Sequence, residues 1–283
     1  MKRFAFLIFS VFLILFSTTS KYGCEAEDPF EKNYYQTWGK EHLNVTEKGL
    51  CVHLSMDEES GAGYSSKENF GSGLFEIMMK IPDNKDIREV ISTFYLIDIP
   101  YGEPVYGRDH FEFDIEFFGS NLSTNVFAND LGNREQRFKL WFDPAADYHK
   151  YQILWNQHHI VWFIDGEPIR IWKNATDLGV PFPNKLHLHV EASIWHGDFS
   201  GQPDWSLAPF IASYKGFAMN ACVFQESNPE ECYSETSYFW NGKQYWQLDA
   251  SQQAQLNTHR EKHMVSDYCS DDSKSGPECE VNK

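Results

Sequence analysis

Hydrophobic and polar residues alternate along many short stretches of the chain, and turn residues separate these stretches. Strict alternation is typical of β-strands, whose successive side chains point to opposite faces. No helical periodicity interrupts the pattern between residues 30 and 217. It predicts an antiparallel sandwich or barrel. The predicted strands are LCVHLSM, GLFEIMMKI, VISTFYLI, HFEFDIEFF, RFKLWF, YQILW, HIVWFI, IRIW and LHLHVEASIW.

Two local signals are sharper than the rest. HIVWFIDGEPIRIW has an Asp-Gly pair between two β-branched and aromatic runs, which predicts a hairpin turning at Asp165 and Gly166. LDASQQAQLNTHREKHM contains good helix formers after Asp249, a suitable N-cap. We therefore expect one helix near the C-terminus.

The stretch HFEFDIEFF places three carboxylates, Glu112, Asp114 and Glu116, at every second position. On a strand these positions share one face, where like charges repel. The repulsion is relieved if one member of the cluster holds a proton. A solvated acidic strand face and a weak calcium site are the alternatives to a catalytic cluster.

The spacing is compatible with glycoside cleavage. The Cα atoms of Glu112 and Glu116 lie roughly 13 Å apart along a straight strand. Side chains that lean together can approach the separation of about 5–5.5 Å between carboxyl groups that retaining cleavage needs. One glutamate would then be the nucleophile and the other the acid/base, while Asp114 keeps their pKa values apart.

Composition narrows the choice of ligand. The formal net charge of −17 argues against nucleic acid, because phosphate contacts are made mainly by Lys and Arg. Aromatic residues make up 16% of the chain, which suits stacking on neutral sugar rings as well as core packing.

The N-terminus has the pattern of a secretion signal. Lys2 and Arg3 precede an apolar run at residues 4–16 and a small polar run at 17–20. We predict a signal peptide over residues 1–20, with cleavage between 20 and 24, and a secreted protein without a membrane segment. An uncleaved anchor is the alternative, although the run is short for a membrane span.

Secretion permits disulfides. Of the six cysteines, the last four form two close pairs, which predicts Cys222–Cys232 and Cys269–Cys279 among three possible connectivities. Cys51 is either a buried free thiol or a partner of Cys24. We expect a catalytic domain at 25–217 and a stapled C-terminal extension at 218–283. Three Asn-X-Ser/Thr triplets are candidate glycosylation sites: Asn44, Asn121 and Asn174.

HFEFDIEFFG resembles the H-D-E-[IL]-D-[FI]-E-F-L-G signature of plant xyloglucan endotransglucosylase/hydrolases, in glycoside hydrolase family 16. Further blocks resemble the same family in the same order, over nearly all of the mature chain. They are NYYQTWGKEH, SGAGYSSKENFGSG, TNVFANDLGNREQRFKLWFDPAADYHKYQILWN, DWSLAPFIASYKGF, ACV and DYCSDD.

The resemblance implies a concanavalin-like β-jelly-roll of two curved antiparallel sheets with an open groove. It implies Glu112 as nucleophile, Glu116 as acid/base and Asp114 as the assisting residue. The enzyme would cleave xyloglucan and pass the covalent intermediate to another xyloglucan chain or an oligosaccharide, as a secreted monomer of the cell wall without a cofactor. A hydrolase that transfers mainly to water and a non-catalytic glucan-binding protein are the alternatives.

The resemblance also assigns substrate-binding residues. Trp195, in ASIW, matches a family tryptophan that stacks on the donor side of the cleavage point. Tyr64 and Asn125 match groove positions, with a core role as the alternative for Tyr64. Arg134 and Gln136 match the acceptor-side segment, with a structural salt bridge as the alternative for Arg134.

The chain departs from the family pattern at the edges of the groove. Phe111 and Phe113 replace the usual Asp and Ile or Leu, and His263 and Ser266 stand where tyrosines are common. DIPYGEPVYGRD is longer than usual, whereas HGDFSGQP and the loop after the catalytic strand are shorter.

A zinc site is a further alternative. His187, His189 and Glu191 alternate along one predicted strand and could hold the metal. Alternating polar residues on a half-exposed strand are the commoner explanation of such a pattern, and we predict no metal site.

Overall fold

The computed structural model describes residues 28–100, 102–105, 107–197, 199 and 201–282. The predicted signal peptide and Cys24 lie outside these residues. None of the helices within these residues is long and apolar enough to cross a membrane.

The first of two antiparallel sheets contains nine strands among the described residues. Strands are numbered in chain order. From one edge to the other the sheet runs β1 (Tyr34–Trp38), β4 (Ala62–Ser66), β14 (His189–Trp195), β6 (Ile91–Ile97), β7 (His110–Phe118), β8 (Asn121–Thr124), β10 (Gln136–Phe138) and β17 (Met264–Asp267), while β9 (Val126–Asp130) pairs with β7.

The second sheet contains eight strands in the described part of the chain. Its order is β13 (Glu167–Lys173), β12 (His159–Ile164), β11 (His149–Trp155), β5 (Phe70–Lys80), β15 (Phe210–Lys215), β3 (Cys51–Met56) and β2 (Leu43–Thr46), while β16 (Asn220–Val223) pairs with β5. Within the described residues two α-helices accompany the sheets, α1 (Phe30–Asn33) and α2 (Ala250–Lys262). The predicted two-sheet jelly-roll is confirmed.

Strand β7 joins the core to the open face of the first sheet. Its apolar side chains point inward: the ring of Phe113 packs 6.5 Å from Trp155 and 6.3 Å from Trp162, and Phe117 packs 5.5 Å from Tyr151. Burying such rings contributes about 1.5–3 kcal/mol each. Because side chains alternate on a strand, this anchoring turns the carboxylates outward.

The C-terminal residues complete both sheets. Strand β16 pairs with β5, and β17 pairs with β10. Helix α2 begins at the predicted cap Asp249, which forms a capping box with Gln252. The predicted disulfides Cys222–Cys232 and Cys269–Cys279 are both present.

Cys51 is a buried free thiol, as one of the two alternatives predicts. Its sulfur lies 3.4 Å from the Tyr148 hydroxyl oxygen.

Candidate active site

The three carboxylates of β7 lie on one face and are matched by polar residues on neighbouring strands. Glu112 pairs in register with Ile97, Asp114 with Tyr95, and Glu116 with Thr93. Across β6, these residues pair with His189, Glu191 and Ser193 of β14. Apart from Ile97, the open face is therefore a grid of polar side chains with the predicted catalytic residues at its centre.

A cavity of about 230 Å³ lies over this grid. Glu112, Asp114 and Glu116 line it together with Thr93, Tyr95, Ser193, Trp38 and Trp195. The structure thus brings the predicted donor-side residue Trp195 to the carboxylates. It also adds Trp38, which the sequence analysis did not select.

Burial raises the pKa of all three carboxyl groups. The pKa of Glu112 rises to about 8, mainly through burial, with repulsion from Glu116 adding to it and a hydrogen bond with Asp114 opposing it. The pKa of Asp114 is raised well above its usual value by burial and by the negative charge of Glu112. That of Glu116 is raised well above its usual value by burial and by Asp114.

The hydrogen bond between Asp114 and Glu112 assigns one proton. It lowers the pKa of Glu112 and raises that of Asp114, so the hydrogen between the two groups lies on Asp114. An ionised Glu112 beside a protonated Glu116 is the state that a nucleophile and a general acid require. Protonated Asp114 then donates its hydrogen bond to the Glu112 carboxylate.

His110 adds a proton to the environment of Glu112. Its Nδ1 lies 2.7 Å from the Arg108 carbonyl oxygen, and its Nε2 lies 2.8 Å from Glu112 Oε2. A carbonyl can only accept, so Nδ1 carries a hydrogen. One hydrogen therefore lies between Nε2 and Oε2. Either an imidazolium donates it to the Glu112 carboxylate, or the Glu112 carboxyl group donates it to a neutral ring. The buried ring also stacks on Phe127 at 4.5 Å, which fixes its orientation.

The other side of β7 presents a charged pair. Glu116 pairs in register with Ser123 of β8, and Ser123 with Arg137 of β10. Arg137 lowers the pKa of Glu116, whereas Glu135 raises it. The two residues are themselves joined at 2.8 Å. Arg137 and Glu135 therefore flank the acid/base.

Trp38 reaches the cavity because β4 has no side chain beneath it. A Cβ atom added at Gly63 would lie 2.3 Å from Trp38 Nε1. The indole consequently lies across the glycine, and its other side stays partly exposed. In the sequence, the two glycines Gly61 and Gly63 indicate space for the Trp38 side chain. They can be interpreted in this way only once β1 is known to pair with β4.

Tyr64 is corrected to a core residue. Its side chain is fully buried, and its ring makes edge contacts with Phe30 and Tyr214, so it cannot touch a polysaccharide. The core alternative for Tyr64 fits the structure. Asn125 is a supporting residue: its carbonyl accepts from the Asp114 backbone N–H at 3.1 Å, and its Oδ1 accepts from the Arg134 N–H at 3.0 Å.

Arg134 and Gln136 do not face the carboxylates. Arg134 forms salt bridges with Asp130 at 2.7 Å and Glu278 at 2.8 Å, as its structural alternative predicts. Gln136 is buried and donates to Asp267 Oδ1 at 3.1 Å. Arg137 directly follows Gln136 on β10, so its side chain lies on the opposite side of the strand, at the open face.

The zinc alternative does not fit. His189 Nε2 lies 2.9 Å from Glu191 Oε1, but the ring of His187 packs against Phe224 at 5.3 Å. Among the described side chains, no group of three or more His, Cys, Asp and Glu is arranged to hold a metal.

Two of the three candidate glycosylation sites are exposed. Asn44 and Asn121 lie on the surface, whereas Asn174 is partly buried and donates to the Gln157 carbonyl oxygen at 2.9 Å.

A β-sandwich with two glutamates two residues either side of an aspartate on one open strand is the arrangement that glycoside cleavage by a pair of carboxyl groups requires. The chain belongs to family 16 of the glycosyl hydrolases, whose sequence profile matches residues 30–211.

Individual relatives agree with this assignment. The chain is 38% identical to xyloglucan endotransglucosylase/hydrolase protein 2 of Arabidopsis thaliana, over 95% of its own length and 94% of the relative's. It is 40% identical to the putative protein 1 of the same series in that plant, over 86% and 82%. Among solved structures, a prokaryotic β-1,3-1,4-glucanase (lichenase) from a mouse hindgut metagenome shares 25% identity with a TM-score of 0.51, covering 65% of this chain and 90% of that chain.

Proposed function

We propose that the protein cleaves the β-1,4-glucan backbone of xyloglucan and transfers the newly formed glucanyl group to another xyloglucan chain or oligosaccharide. The observation that carries the proposal is the placement of Glu112, Asp114 and Glu116 on one open face, where burial raises the pKa of all three carboxyl groups. The names of the plant relatives supply the substrate class.

In the first half of the reaction, a Glu112 oxygen attacks the anomeric carbon of the donor sugar. The glycosidic C–O bond breaks, and Glu116 gives its proton to the departing 4-oxygen. A glucanyl ester of Glu112 results, and burial of the cluster keeps this ester away from bulk water.

In the second half, the 4-hydroxyl of an acceptor sugar attacks the anomeric carbon of the glucanyl group, and the bond from this carbon to the Glu112 oxygen breaks. Glu116, now ionised, takes the proton, and Glu112 is released as a carboxylate. Two inversions restore the original anomeric configuration. Arg137 and Glu135 beside Glu116 can position the acceptor by hydrogen bonds to its hydroxyl groups.

Water in the place of the acceptor would give hydrolysis, so a xyloglucan hydrolase is the alternative outcome of the same intermediate. A sugar-binding protein without turnover is less consistent with the site, because simple binding does not need a cluster of buried carboxyl groups with raised pKa values.

We further propose that the protein acts outside the cell, in the plant cell wall, after removal of a signal peptide. The N-terminal apolar segment, the two disulfides and the exposed Asn44 and Asn121 triplets support this location. Treatment with an N-glycosidase should lower the mass of the protein isolated from plant tissue.

The function is tested by incubating the protein with xyloglucan and a labelled xyloglucan oligosaccharide. We expect label to enter high-mass polysaccharide, and Glu112→Gln to prevent it. Parallel incubations with mixed-linkage β-1,3-1,4-glucan test the substrate class. Label that enters only mixed-linkage glucan, or no polysaccharide, would contradict the proposal.

A further inference from the structure

A second cavity adjoins the one over the carboxylates. It measures about 490 Å³, within the usual size of small-molecule sites, and it shares Trp38 and Tyr95 with the catalytic cavity. Glu191 and Glu103 are the acidic residues of its lining, while Ile97, Ile99 and Pro104 are among the apolar ones. The two cavities therefore form one continuous cleft on the side of β7 where Trp195 lies.

Glu191 is held in a fixed orientation. The Tyr95 hydroxyl donates to its Oε2 at 2.6 Å, and His189 Nε2 lies 2.9 Å from its Oε1. His189 itself is only 6% exposed, so it contacts Glu191 from the buried side of the cavity. Each carboxylate oxygen can accept a second hydrogen bond. The Glu191 side chain keeps 16% of its surface exposed, and it offers these positions to the cavity.

An unusually long connection forms the wall opposite Glu191. Residues 98–109 join β6 to β7, although adjacent antiparallel strands are commonly joined by two to five residues. From this connection Ile99, Pro104 and Val105 line the cavity. An ion pair between Glu103 and Arg108 links its two arms. The sequence feature that departs from the family pattern thus encloses space beside the donor side of the active site.

The chemistry of the cavity fits a neutral sugar ring. Trp38 offers an aromatic face, and a fixed carboxylate accepts hydrogen bonds from two neighbouring hydroxyl groups. A sugar acid would be repelled by Glu191, and the described lining of the cavity contains no Lys or Arg to offset that repulsion.

We propose that Glu191 is a specificity-determining residue that binds the hydroxyl groups of one neutral pyranose of the donor, on the side of Glu112 away from the acceptor. The inference rests on the proposed function for its donor. The pyranose is either a backbone glucosyl unit or a branch sugar, which share this chemistry.

The test compares Glu191→Ala with a matched control, Glu76→Ala. Glu76 is also a strand glutamate held by polar neighbours, at 2.8 Å from Gln152, 3.3 Å from Asn220 and 3.5 Å from Lys150, but it lies on the second sheet. At saturating acceptor, Glu191→Ala should raise KM for xyloglucan about ten-fold while kcat changes little, because a charged hydrogen bond to the donor is lost. Glu76→Ala should leave KM unchanged.

Glu191→Gln keeps the shape and removes the charge. If the subsite binds a branch sugar, Glu191→Gln should reduce the discrimination between xyloglucan and a xyloglucan whose terminal galactosyl units have been oxidised to uronic acids. A KM rise for Glu191→Ala on both xyloglucan and unbranched hydroxyethyl cellulose assigns the subsite to a backbone unit. A rise on xyloglucan alone assigns it to a branch sugar.

An unchanged KM on both donors in an active Glu191→Ala protein would overturn the inference while leaving the proposed function intact. Conversely, if wild-type protein shows no turnover, binding of a xyloglucan oligosaccharide is measured directly by calorimetry. Weaker binding by Glu191→Ala than by wild type and Glu76→Ala would then support the subsite without the enzymatic function, and equal binding by all three would reject it.

Discussion

The two sides of β7 are built from different residues. On the side of β6, β14, β4 and β1, the open face carries Tyr95, Trp195 and Trp38 around the fixed carboxylate of Glu191. On the side of β8, β10 and β17, it carries the ion pair Arg137–Glu135 and no aromatic platform of that kind among the residues matched with Glu116.

The two sides also differ in origin. The aromatic side consists of strands between residues 34 and 195, whereas the outermost strand of the charged side, β17, lies at residues 264–267, within the segment that the sequence analysis predicts to be a C-terminal extension. One half of the cleft is therefore built from residues before 196, and the other half needs a strand from near the end of the chain. We infer that the aromatic half holds the donor firmly, while the charged half selects what attacks the intermediate.

The largest expected effect is at the centre, where both halves meet. Glu112→Ala should lower turnover by about 10⁴-fold or more, because the covalent step is lost. Azide with an activated donor should restore product formation with inverted configuration.

The same rescue applied to Asp114→Ala and Glu116→Ala controls this assignment. Asp114→Ala should show no azide product. Azide rescue of Glu116→Ala with an inverted product would reverse the assigned roles.

A matched pair of substitutions separates the two halves. Trp38→Ala should raise KM for the donor about ten-fold, since a stacking face is lost, and should leave KM for the acceptor unchanged. Arg137→Ala should raise KM for the acceptor and increase the share of hydrolysis. It should also shift the loss of activity on the basic side to higher pH, because Arg137 lowers the pKa of Glu116.

Arg137→Lys is the control for charge alone, and it should keep the pH profile but not the full affinity for the acceptor. If Trp38→Ala impaired the acceptor and Arg137→Ala the donor, the assignment of the halves would be reversed.

The disulfides provide a further comparison. Removal of either pair by Cys→Ser substitution should lower the free energy of unfolding by about 2–4 kcal/mol, measured by denaturant titration. The loss of Cys269–Cys279 should also raise KM for the acceptor, because that bond follows directly after β17. Loss of Cys222–Cys232 should affect stability alone. Equal effects of both pairs on the acceptor would argue against the separate role of the β17 edge.

The smallest expected effect concerns pH and stability. The pKa of Glu112 is raised from 4.5 to about 8, so the folded state binds more protons than the unfolded state between these values. Its contribution to stability is therefore fully present below pH 4.5 and is lost as pH rises through 8.

Glu112→Gln removes this dependence and should raise the melting temperature at pH 8 relative to wild type, by about 2–4 °C for each kcal/mol gained. Glu76→Gln, outside the carboxylate cluster, should not. A Glu112→Gln protein with the wild-type slope of stability against pH would show that the raised pKa belongs to another group.

The sequence predicted elements where local signals were strong. The catalytic strand follows from its alternation, and α2 from Asp249 and Gln252. β4, with sequence AGYSS, was not predicted, because small residues buried on both faces give no alternation. The predicted strand RFKLWF ends early, since its register shifts after Arg137 and the Lys139 N–H turns to the His263 carbonyl oxygen.

The site was predicted as far as it lies on one strand. Glu112, Asp114 and Glu116 share a face by parity alone. Trp38 was not selected, and Glu191 was considered only within the zinc alternative, because both meet the cluster through strand pairings that sequence spacing does not reveal. Arg134 and Gln136 were selected by motif position, which does not tell which of two neighbouring residues faces outward.

In the proposed reaction, an acceptor sugar competes with water for one covalent intermediate on Glu112. The most direct measurement is a series of rising oligosaccharide acceptor at fixed xyloglucan, following both label incorporation and new reducing ends. We expect incorporation to climb while reducing-end release falls, because a bound acceptor displaces water from the ester. Reducing ends that accumulate at an unchanged rate across the series would contradict the account and leave a xyloglucan hydrolase.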